Sequence, residues 1–382
     1  MKHNSLEIIP FNKPYTSTDE INNIVEAAQG DKICGDGFYT ALCNEYFNTH
    51  IKRPVLLTPS CSAALEMMAI LMDAQAGDEV IMPSFTFVST ANAFVLRGLK
   101  PVFIDIREDT LNINEHLIEK AISEKTKAIV PVHYAGVGCE MDSIKKIAAK
   151  HNLYVFEDAA QGFGATYKNQ TLGTIGDLGA YSFHETKNIS SGEGGCLIVN
   201  NEKFLERAEI IREKGTNRTH FLRGLIDKYT WIDIGSSYLV ADYVAAYLYA
   251  QLQKSEAIKA QRFHIWNMYH SFFEKYEKQG LLRRPIIPSD CTHNAHIYYL
   301  LFNDMQTRTA FMKCLNDHNI QSVFHYIPLH SSPAGRKYCR TASDMSVTNK
   351  VSDTLVRLPL FYTLSDSDLC RIFAAVEVFF GG

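Results

Sequence analysis

Long apolar runs are absent from this 382-residue chain, and their absence sets the first limits on its function. No stretch of 18 or more apolar residues occurs, so the sequence predicts no membrane-spanning helix. The first 14 residues, MKHNSLEIIPFNKP, lack the apolar segment of a secretory signal. Tracts of Lys or Arg are also missing and the formal net charge is −4, which argues against nucleic acid or an anionic membrane as a partner. An anionic ligand would therefore have to be held locally.

Closely spaced cysteine pairs are missing as well. The nine cysteines are an odd number, lie between Cys34 and Cys370, and include no Cys-x-x-Cys pair. This spacing argues against a disulfide framework and against a zinc site, so no metal is expected. We expect the chain to work in a reducing compartment, the cytoplasm.

What the sequence does contain is an alternation of short apolar runs and helical patterns. Such an alternation is typical of a mostly parallel sheet that is covered on both faces. A long helical pattern spans 237–258, and a smaller α/β unit follows it. We therefore predict an N-terminal arm (1–14), a large domain (15–258) and a small C-terminal domain (259–382). The predicted strand runs are 54–58, 79–83, 101–106, 128–134, 153–159, 178–183, 195–200, 296–302 and 321–327.

Two of these strand runs are followed by segments suited to a phosphate or a flat ring. Ligands of open parallel sheets bind beyond the carboxyl ends of the strands, where these segments lie. The segment TPSCS (58–62) joins a strand to a helix, and the free N–H groups of such a helix start can hold a phosphate. An ordinary Ser cap is the alternative explanation. In PSFTF (83–87), Phe87 could stack on a ring, although a lone Phe more often belongs to a core.

Two charged side chains follow later strand runs. Asp158 lies at the end of the run 153–159, where a buried carboxylate needs a partner such as a protonated pyridine nitrogen; a helix cap is the alternative. Lys187 follows 29 residues later in SFHETKN (182–188), ahead of GEGG (192–195). A lysine there is usually solvated, but in a cleft it could react with a carbonyl group. Phosphate loop, aromatic ring, Asp and Lys in this order together predict a site for pyridoxal 5′-phosphate (PLP).

Three motifs carry a resemblance to a known family. DAAQ (158–161), SFHETK (182–187) and GEGG (192–195) resemble segments of the DegT/DnrJ/EryC1/StrS family of sugar aminotransferases, and the resemblance runs from IPF (9–11) to RLPLF (357–361). It implies a PLP-dependent transferase of fold type I, like aspartate aminotransferase, with a central mostly parallel sheet and a smaller C-terminal α/β domain. It also implies a homodimer with shared active sites.

The resemblance further implies roles for individual residues. Lys187 matches the lysine that bonds to the cofactor, and Asp158 matches the carboxylate that pairs with the pyridine nitrogen. Gln161 matches a contact to the ring hydroxyl, and Phe87 matches the ring that stacks on the cofactor. The positions that match phosphate contacts are Cys61, Ser62 and Ser182.

Further positions are weighed on the same resemblance. Many family members reach the phosphate of the neighbouring subunit with the Asn of a Gly-Tyr-Asn-Tyr-Arg segment; here GSSYL (235–239) places Ser237 at that position. His133 could line the site or be a hydrogen-bonded structural residue. The segment Gly136-Val137-Gly138 lacks the third glycine of a dinucleotide fingerprint, which we therefore reject. Residues with about equal prospects of contacting sugar or diphosphate are Arg218, His325, Tyr326 and His330.

For the reaction, the resemblance implies amino transfer from glutamate to C4 of TDP-4-keto-6-deoxy-D-glucose. The product would be TDP-4-amino-4,6-dideoxy-D-galactose, for a cell-surface polysaccharide such as lipopolysaccharide or enterobacterial common antigen, with pyridoxamine phosphate as the cofactor's amine form. Segments expected to line the cleft (139–142, 214–218 and 324–330) favour this product over its gluco epimer.

Three other functions stay open at this point. A PLP-dependent sugar dehydratase would carry His in place of Lys187. A non-catalytic PLP-binding regulator would not need both Lys187 and Asp158. A nucleotide-binding oxidoreductase would need the glycine-rich motif that the chain lacks.

Overall fold

The computed structural model describes residues 7–381, and regular elements fill most of that range. The strands are β1 (Val55–Thr58), β2 (Glu79–Pro83), β3 (Lys100–Ile104), β4 (Thr126–Ile129), β5 (Tyr154–Asp158), β6 (Thr166–Tyr167), β7 (Gln170–Thr171), β8 (Leu178–Ser182), β9 (Gly195–Val199), β10 (Leu282–Arg283), β11 (Cys291–Thr292), β12 (Tyr298–Phe302), β13 (Arg340–Thr341) and β14 (Leu355–Leu358). The α-helices are α1 (Thr18–Gln29), α2 (Phe38–His50), α3 (Cys61–Leu71), α4 (Val88–Val95), α5 (Glu115–Ala121), α6 (Met141–His151), α7 (Leu205–Arg212), α8 (Arg218–Leu222), α9 (Asp242–Gln253), α10 (Ser255–Lys278), α11 (Met305–Asp317), α12 (Pro333–Tyr338), α13 (Ser346–Thr354) and α14 (Asp366–Gly381).

A large sheet of eight strands dominates the described residues, in the order β1-β9-β8-β5-β4-β2-β3-β13. The five pairings from β8 to β13 are parallel, whereas β9 runs antiparallel to both of its neighbours. Every position of β2, β8 and β9 is buried, because helices cover both faces of the sheet. This burial explains why the strands read as continuous apolar runs rather than alternating ones. The predicted mostly parallel α/β architecture is confirmed.

A second, antiparallel sheet of β10, β12 and β14 forms the centre of the C-terminal unit. One face of it packs against α10, α11 and α14 through a core that includes Tyr269, Phe311 and Ile372. Ile9, near the N-terminus, joins the same core and pairs with Ile320. Conversely, the C-terminal part of the chain contributes a strand to the large sheet, where β13 pairs with β3. The boundaries at 14/15 and 258/259 stay a prediction.

Two segments differ from their sequence-based prediction. The helical pattern at 237–258 is not one helix: residues 237–241 are non-helical, α9 begins at Asp242, and α10 starts at Ser255. Asp242 ties the start of α9 to the start of α2, because its carboxylate accepts hydrogen bonds from the backbone N–H groups of Tyr39 (3.0 Å) and Thr40 (2.9 Å). Segment 321–327 forms no strand; its one β-bridge among the described residues joins Val323 to Arg357.

The helices bear on the membrane prediction as well. Within residues 7–381, none combines the length and the apolar character that crossing a bilayer requires.

Candidate active site

A cleft opens where the parallel strands end. Its walls come from the segments that follow β1, β2, β5 and β8, and from the C-terminal unit. This edge of the sheet is where the sequence predicted a site, because parallel strands present their carboxyl ends together. The sequence-predicted residues that line the cleft are Cys61, Ser62, Phe87, Asp158, Gln161, Ser182, Lys187, His325 and Tyr326.

Asp158 is the last residue of β5, and its side chain is only about 4% exposed. One carboxylate oxygen accepts a hydrogen bond from the Thr90 hydroxyl at 2.7 Å, and the other accepts one from the backbone N–H of Ala160 at 3.1 Å. Within residues 7–381, no Lys or Arg forms an ion pair with it. A buried carboxylate without a cation is costly, so this position suits a ligand that carries a protonated nitrogen.

Lys187 lies in the loop between β8 and β9. Backbone hydrogen bonds from Phe183 to Gly194 and from Glu185 to Gly192, both 2.8 Å, hold the two arms of this loop together. Burial lowers the pKa of the Lys187 amine, the nearby thiol of Cys61 and carboxylate of Asp158 oppose this shift, and the positive charge of Arg357 adds to it. A lowered pKa leaves more of the amine neutral, which is the form that attacks a carbonyl carbon.

The start of α3 forms the opposite end of the cleft. Ser60 caps the helix by accepting a hydrogen bond from the N–H of Ala63 at 3.1 Å. Cys61 and Ser62 occupy the first two helical positions, where backbone N–H groups have no partner inside a helix and can hold a phosphate. Gly195 passes so close that an added Cβ would lie 2.3 Å from the nitrogen of Cys61. Only glycine allows this approach, which explains in physical terms why the GEGG motif ends in glycine.

Two further predicted residues border the space between these ends. Phe87 caps α4 and exposes about 58% of its side chain, so its ring is available to a ligand instead of being packed in the core. Gln161 accepts a hydrogen bond from the N–H of Ala135 at 2.7 Å and donates one to the hydroxyl of Tyr326 at 3.2 Å. Both side chains therefore border the cleft, and their contacts with a flat ring stay a prediction.

Three predicted residues do not line the cleft of this chain. Ser237 lies in the extended segment before α9 and pairs with Glu213. The Arg218 guanidinium forms an ion pair with the Glu213 carboxylate at 3.0 Å. His330 contacts the Ser84 hydroxyl through Nδ1 at 2.8 Å. Their proposed roles toward cofactor and substrate stay predictions.

The structure decides between the two interpretations of His133. The side chain is fully buried, contacts Glu157 through Nε2 at 2.9 Å and accepts a hydrogen bond from the N–H of Cys139 at 3.1 Å. His133 is therefore a hydrogen-bonded structural residue. Segment 139–142 was expected to line the cleft, but Cys139 and Met141 belong to the core beneath the sheet, so that expectation was wrong.

The cleft residues that the sequence reasoning did not single out include Phe11, Thr90, His296 and Arg357. Thr90 could have been found from the sequence, because it follows Thr86 by four residues, the spacing of one helical turn. In the structure the two hydroxyls lie 2.8 Å apart. Arg357 could have been found as well, because it is the only charge in the apolar run LVRLPL (355–360). Burial lowers the pKa of His296 and of His325, which keeps both imidazoles neutral near pH 7.

The arrangement fits PLP at each of its polar groups. The helix start suits the phosphate, Asp158 suits a protonated ring nitrogen, and the Lys187 amine suits the aldehyde carbon. No cluster of potential metal ligands occurs among the described residues. Fold and site together define a PLP-dependent aminotransferase.

Comparison with known proteins narrows this class. The model of the DegT/DnrJ/EryC1/StrS aminotransferase family matches residues 14–377, and the chain belongs to that family. The uncharacterized protein MJ1066 of Methanocaldococcus jannaschii is 38% identical over 96% of both chains. The spore coat polysaccharide biosynthesis protein SpsC of Bacillus subtilis is 31% identical, over 97% of this chain and 96% of its own.

A solved structure gives the same result for the fold. The aminotransferase TlmJ of Streptoalloteichus hindustanus superimposes with a TM-score of 0.88 at 25% identity, over 98% of this chain and 99% of its own. The expected PLP-dependent transferase fold is thereby confirmed, as are the cofactor PLP and the activity of a sugar aminotransferase.

Asp158→Asn should reduce turnover far more than cofactor affinity. An amide cannot hold a proton on the ring nitrogen as a carboxylate does, so we expect kcat to fall about 100-fold or more, which raises the barrier by ~3 kcal/mol.

Asp105→Asn is the matched control, because Asp105 also follows a parallel strand and is also about 4% exposed, but lies outside the cleft. It should retain kcat. Steady-state kinetics and cofactor titration measure both effects; a loss below tenfold for Asp158→Asn would make this residue a structural cap.

Proposed function

We propose that this sugar aminotransferase moves the amino group of glutamate to C4 of TDP-4-keto-6-deoxy-D-glucose and releases TDP-4-amino-4,6-dideoxy-D-galactose. The observation that carries the chemistry is the convergence of Lys187, Asp158 and the start of α3 in one cleft. PLP, when bound, supplies a ring that accepts electrons from the carbon bearing the amino group. The residues around it decide where protons go and which substrates fit.

Within that cleft the side chains divide the work. The Lys187 amine moves a proton between the donor's α-carbon and the carbon of the cofactor that receives the nitrogen. Asp158 keeps the ring nitrogen protonated, and the Thr90 hydroxyl, 2.7 Å away, fixes the orientation of its carboxylate. Gln161 would hold the ring hydroxyl of the cofactor, and Phe87 would stack on its ring. These assignments rest on position and on the resemblance to the family's motifs.

The choice of substrate rests on resemblance beyond the catalytic residues. Long stretches of the chain, including IVPVHYAGVGCEMD (129–142) and VFHYIPLH (323–330), resemble the enterobacterial dTDP-4-amino-4,6-dideoxygalactose transaminase. From the second stretch, His325 and Tyr326 line the cleft, where they can set the pose of a sugar. The likeness to SpsC, a spore coat polysaccharide biosynthesis protein, supports a role in a cell-surface polysaccharide such as lipopolysaccharide or enterobacterial common antigen.

The main alternative is the gluco epimer made from the same keto sugar, since one fold aminates sugars from either face. The dehydratase alternative is disfavoured because the cleft residue at position 187 is Lys, where a dehydratase would carry His. A non-catalytic regulator is disfavoured because both Lys187 and the buried Asp158 are in place.

NMR of the isolated product tests the stereochemistry. Purified enzyme, glutamate and TDP-4-keto-6-deoxy-D-glucose should yield a 4-amino sugar with a small coupling between H3 and H4, which marks an axial amine. A large coupling would mark the gluco epimer and refute the galacto assignment while leaving the aminotransferase in place. An amine at C3 would overturn the substrate assignment as a whole.

We also propose that the enzyme is a homodimer in which each chain completes its partner's site. An apolar surface precedes Ser237 and includes Leu222, Leu225, Ile232 and Trp231, the last about 77% exposed. Exposed apolar surface of this kind marks an interaction site. Ser237 and Arg218 adjoin this surface and do not line the cleft of their own chain. This is expected of residues that contribute to the active site of the partner subunit.

Mixed dimers test the sharing of sites. Chains with Lys187→Ala and chains with Ser237→Asp should each be inactive, the latter because a carboxylate repels the cofactor phosphate. Random mixing should restore about a quarter of wild-type activity, since half of the dimers are mixed and each mixed dimer holds one intact site. Mixing Lys187→Ala with Asp158→Asn chains is the control and should restore nothing, because both residues belong to the same cleft. Full activity of a monomer in sedimentation would contradict the proposal.

A further inference from the structure

Asn188, the residue after Lys187, ties the loop between β8 and β9 to the C-terminal unit. Its side-chain Nδ2 donates a hydrogen bond to the backbone carbonyl of Asn294 at 2.8 Å. Its Oδ1 lies 2.9 Å from Nδ1 of the His296 imidazole. Both partners lie just before β12. The side chain next to the reactive lysine is therefore anchored to a segment that comes 106 to 108 residues later in the chain.

These hydrogen bonds matter because protein does not surround the loop at this point. Lys187 borders the active-site cleft, and His296 borders the same cleft. Asn188 borders a second cavity, which is also lined by Phe163 and Tyr181. A side chain beside a cavity has fewer atoms with which to make dispersion contacts. The orientation of the Asn188 amide therefore depends chiefly on its two hydrogen bonds.

The donor and acceptor directions in this group fix the position of the proton on His296. A backbone carbonyl only accepts, so the end of the Asn188 amide that faces Asn294 is its NH₂ group. The end that faces His296 is then the amide oxygen, which also only accepts, so Nδ1 of the imidazole carries a proton. Burial lowers the pKa of His296, and a neutral imidazole has one proton. Nε2 is therefore left with a lone pair and acts as an acceptor.

The backbone of His296 holds the ring in place. Its N–H donates to Oδ1 of Asn294 at 3.1 Å, and its carbonyl accepts from the guanidinium of Arg262 at 2.6 Å. His296 is only about 6% exposed and lines the cleft. Within residues 7–381, its Nε2 makes no hydrogen bond. A fixed acceptor is thus available to a molecule in the cleft.

An acceptor at this position determines the chemistry of its partner. The lone pair of an imidazole binds an N–H or O–H group, and it offers nothing to an ionised carboxylate or phosphate, whose oxygens only accept. Two groups of the reactants bear such donors close to the atoms that react. They are the amino group of the amino-acid donor and the hydroxyls of the sugar.

We propose that Nε2 of His296 accepts a hydrogen bond from an N–H or O–H group of a reactant, and that Asn188 is the positioning residue that holds the imidazole in its Nδ1–H form. His296 is thereby a binding residue of the cleft, and Asn188 acts through it. The two reactants considered, glutamate and the keto sugar, rest on the proposed function. The position of the proton on His296 does not depend on them.

Nitrogen NMR of the PLP-loaded enzyme, labelled at its histidine rings, tests the position of the proton without any reactant. The wild type should show an imidazole with a protonated Nδ1 and an unprotonated Nε2, and the loss of these signals in His296→Gln protein assigns them. In Asn188→Leu protein the proton should move toward Nε2, the form that free imidazole prefers. A proton on Nε2 in the wild type overturns the proposal, and so does an unchanged spectrum of Asn188→Leu protein.

Single turnovers of the two half-reactions identify the reactant. His296→Leu should lower kcat/KM about tenfold in the half-reaction whose reactant donates to Nε2, and Asn188→Leu should lower the same one about threefold. His296→Gln should recover most of the loss, because its amide oxygen can take the place of Nε2. A recovered loss confined to glutamate assigns the amino group, one confined to the keto sugar assigns a hydroxyl, and one in both assigns both.

His293→Leu is the matched control. His293 is also a buried histidine of the same segment, burial lowers its pKa to about 4, and it does not line the cleft. It should change neither half-reaction by more than about twofold. No loss in either half-reaction of His296→Leu, or a loss that His296→Gln does not recover, overturns the proposal. If glutamate or the keto sugar does not react with the wild type, the proposed function fails and the NMR result stands. If the Leu variants do not fold, the NMR of wild-type and His296→Gln protein decides.

Discussion

The parallel pairing of β5 with β4 and β8 is the constraint on which the site depends. Asp158 pairs with Ala180 across β5 and β8, so the carboxylate at the end of one strand lies near the start of the loop that carries Lys187. Glu157, one residue earlier, points to the opposite face and accepts hydrogen bonds from the N–H groups of Gly173 (2.8 Å), Ile175 (2.6 Å) and Gly176 (2.6 Å). One carboxylate therefore anchors the strand while its neighbour faces the cleft.

Charge in the cleft follows from this geometry. Asp158 has hydrogen-bond donors but no ion-pair partner among residues 7–381, and Lys187 is an amine with a lowered pKa. The two groups therefore form complementary places for a protonated ring nitrogen and an electrophilic carbon, at opposite ends of the same small molecule. Arg357 adds a third fixed charge to the wall of the cleft, and the neutral imidazole of His296 adds a hydrogen-bond acceptor.

The sequence was sufficient to predict the parts of the site that depend on one strand or one helix. Four of the site residues lie at or after the end of a strand: Asp158, Lys187, Phe87 and Cys61. A parallel sheet brings the carboxyl ends of its strands together independently of the loop conformations. The sequence identifies Gly195 only as part of a motif. Its close approach to the nitrogen of Cys61 gives the physical reason for a glycine at this position.

The rest could not be predicted because it depends on contacts distant in the sequence. The two interpretations of His133 could be separated only once its contact with Glu157 was known. Cys139 was expected in the cleft but lies in the core. Arg357 is marked in the sequence as a lone charge in an apolar run, but its lack of an ion-pair partner among residues 7–381 is known only when the neighbouring carboxylates are placed. Segment 321–327 has the composition of a strand, but its strand-like pairing among the described residues is limited to one bridge, and His325 and Tyr326 form part of the cleft wall.

The claim on which all of this depends is that Lys187 is the residue that bonds to the cofactor. Borohydride reduction of the PLP-loaded wild-type enzyme makes that bond permanent, and peptide mass mapping then locates the modified lysine. We expect the cofactor mass on the peptide that contains Lys187, and no such adduct in Lys187→Ala protein. Modification of a different lysine in the wild type would contradict the account.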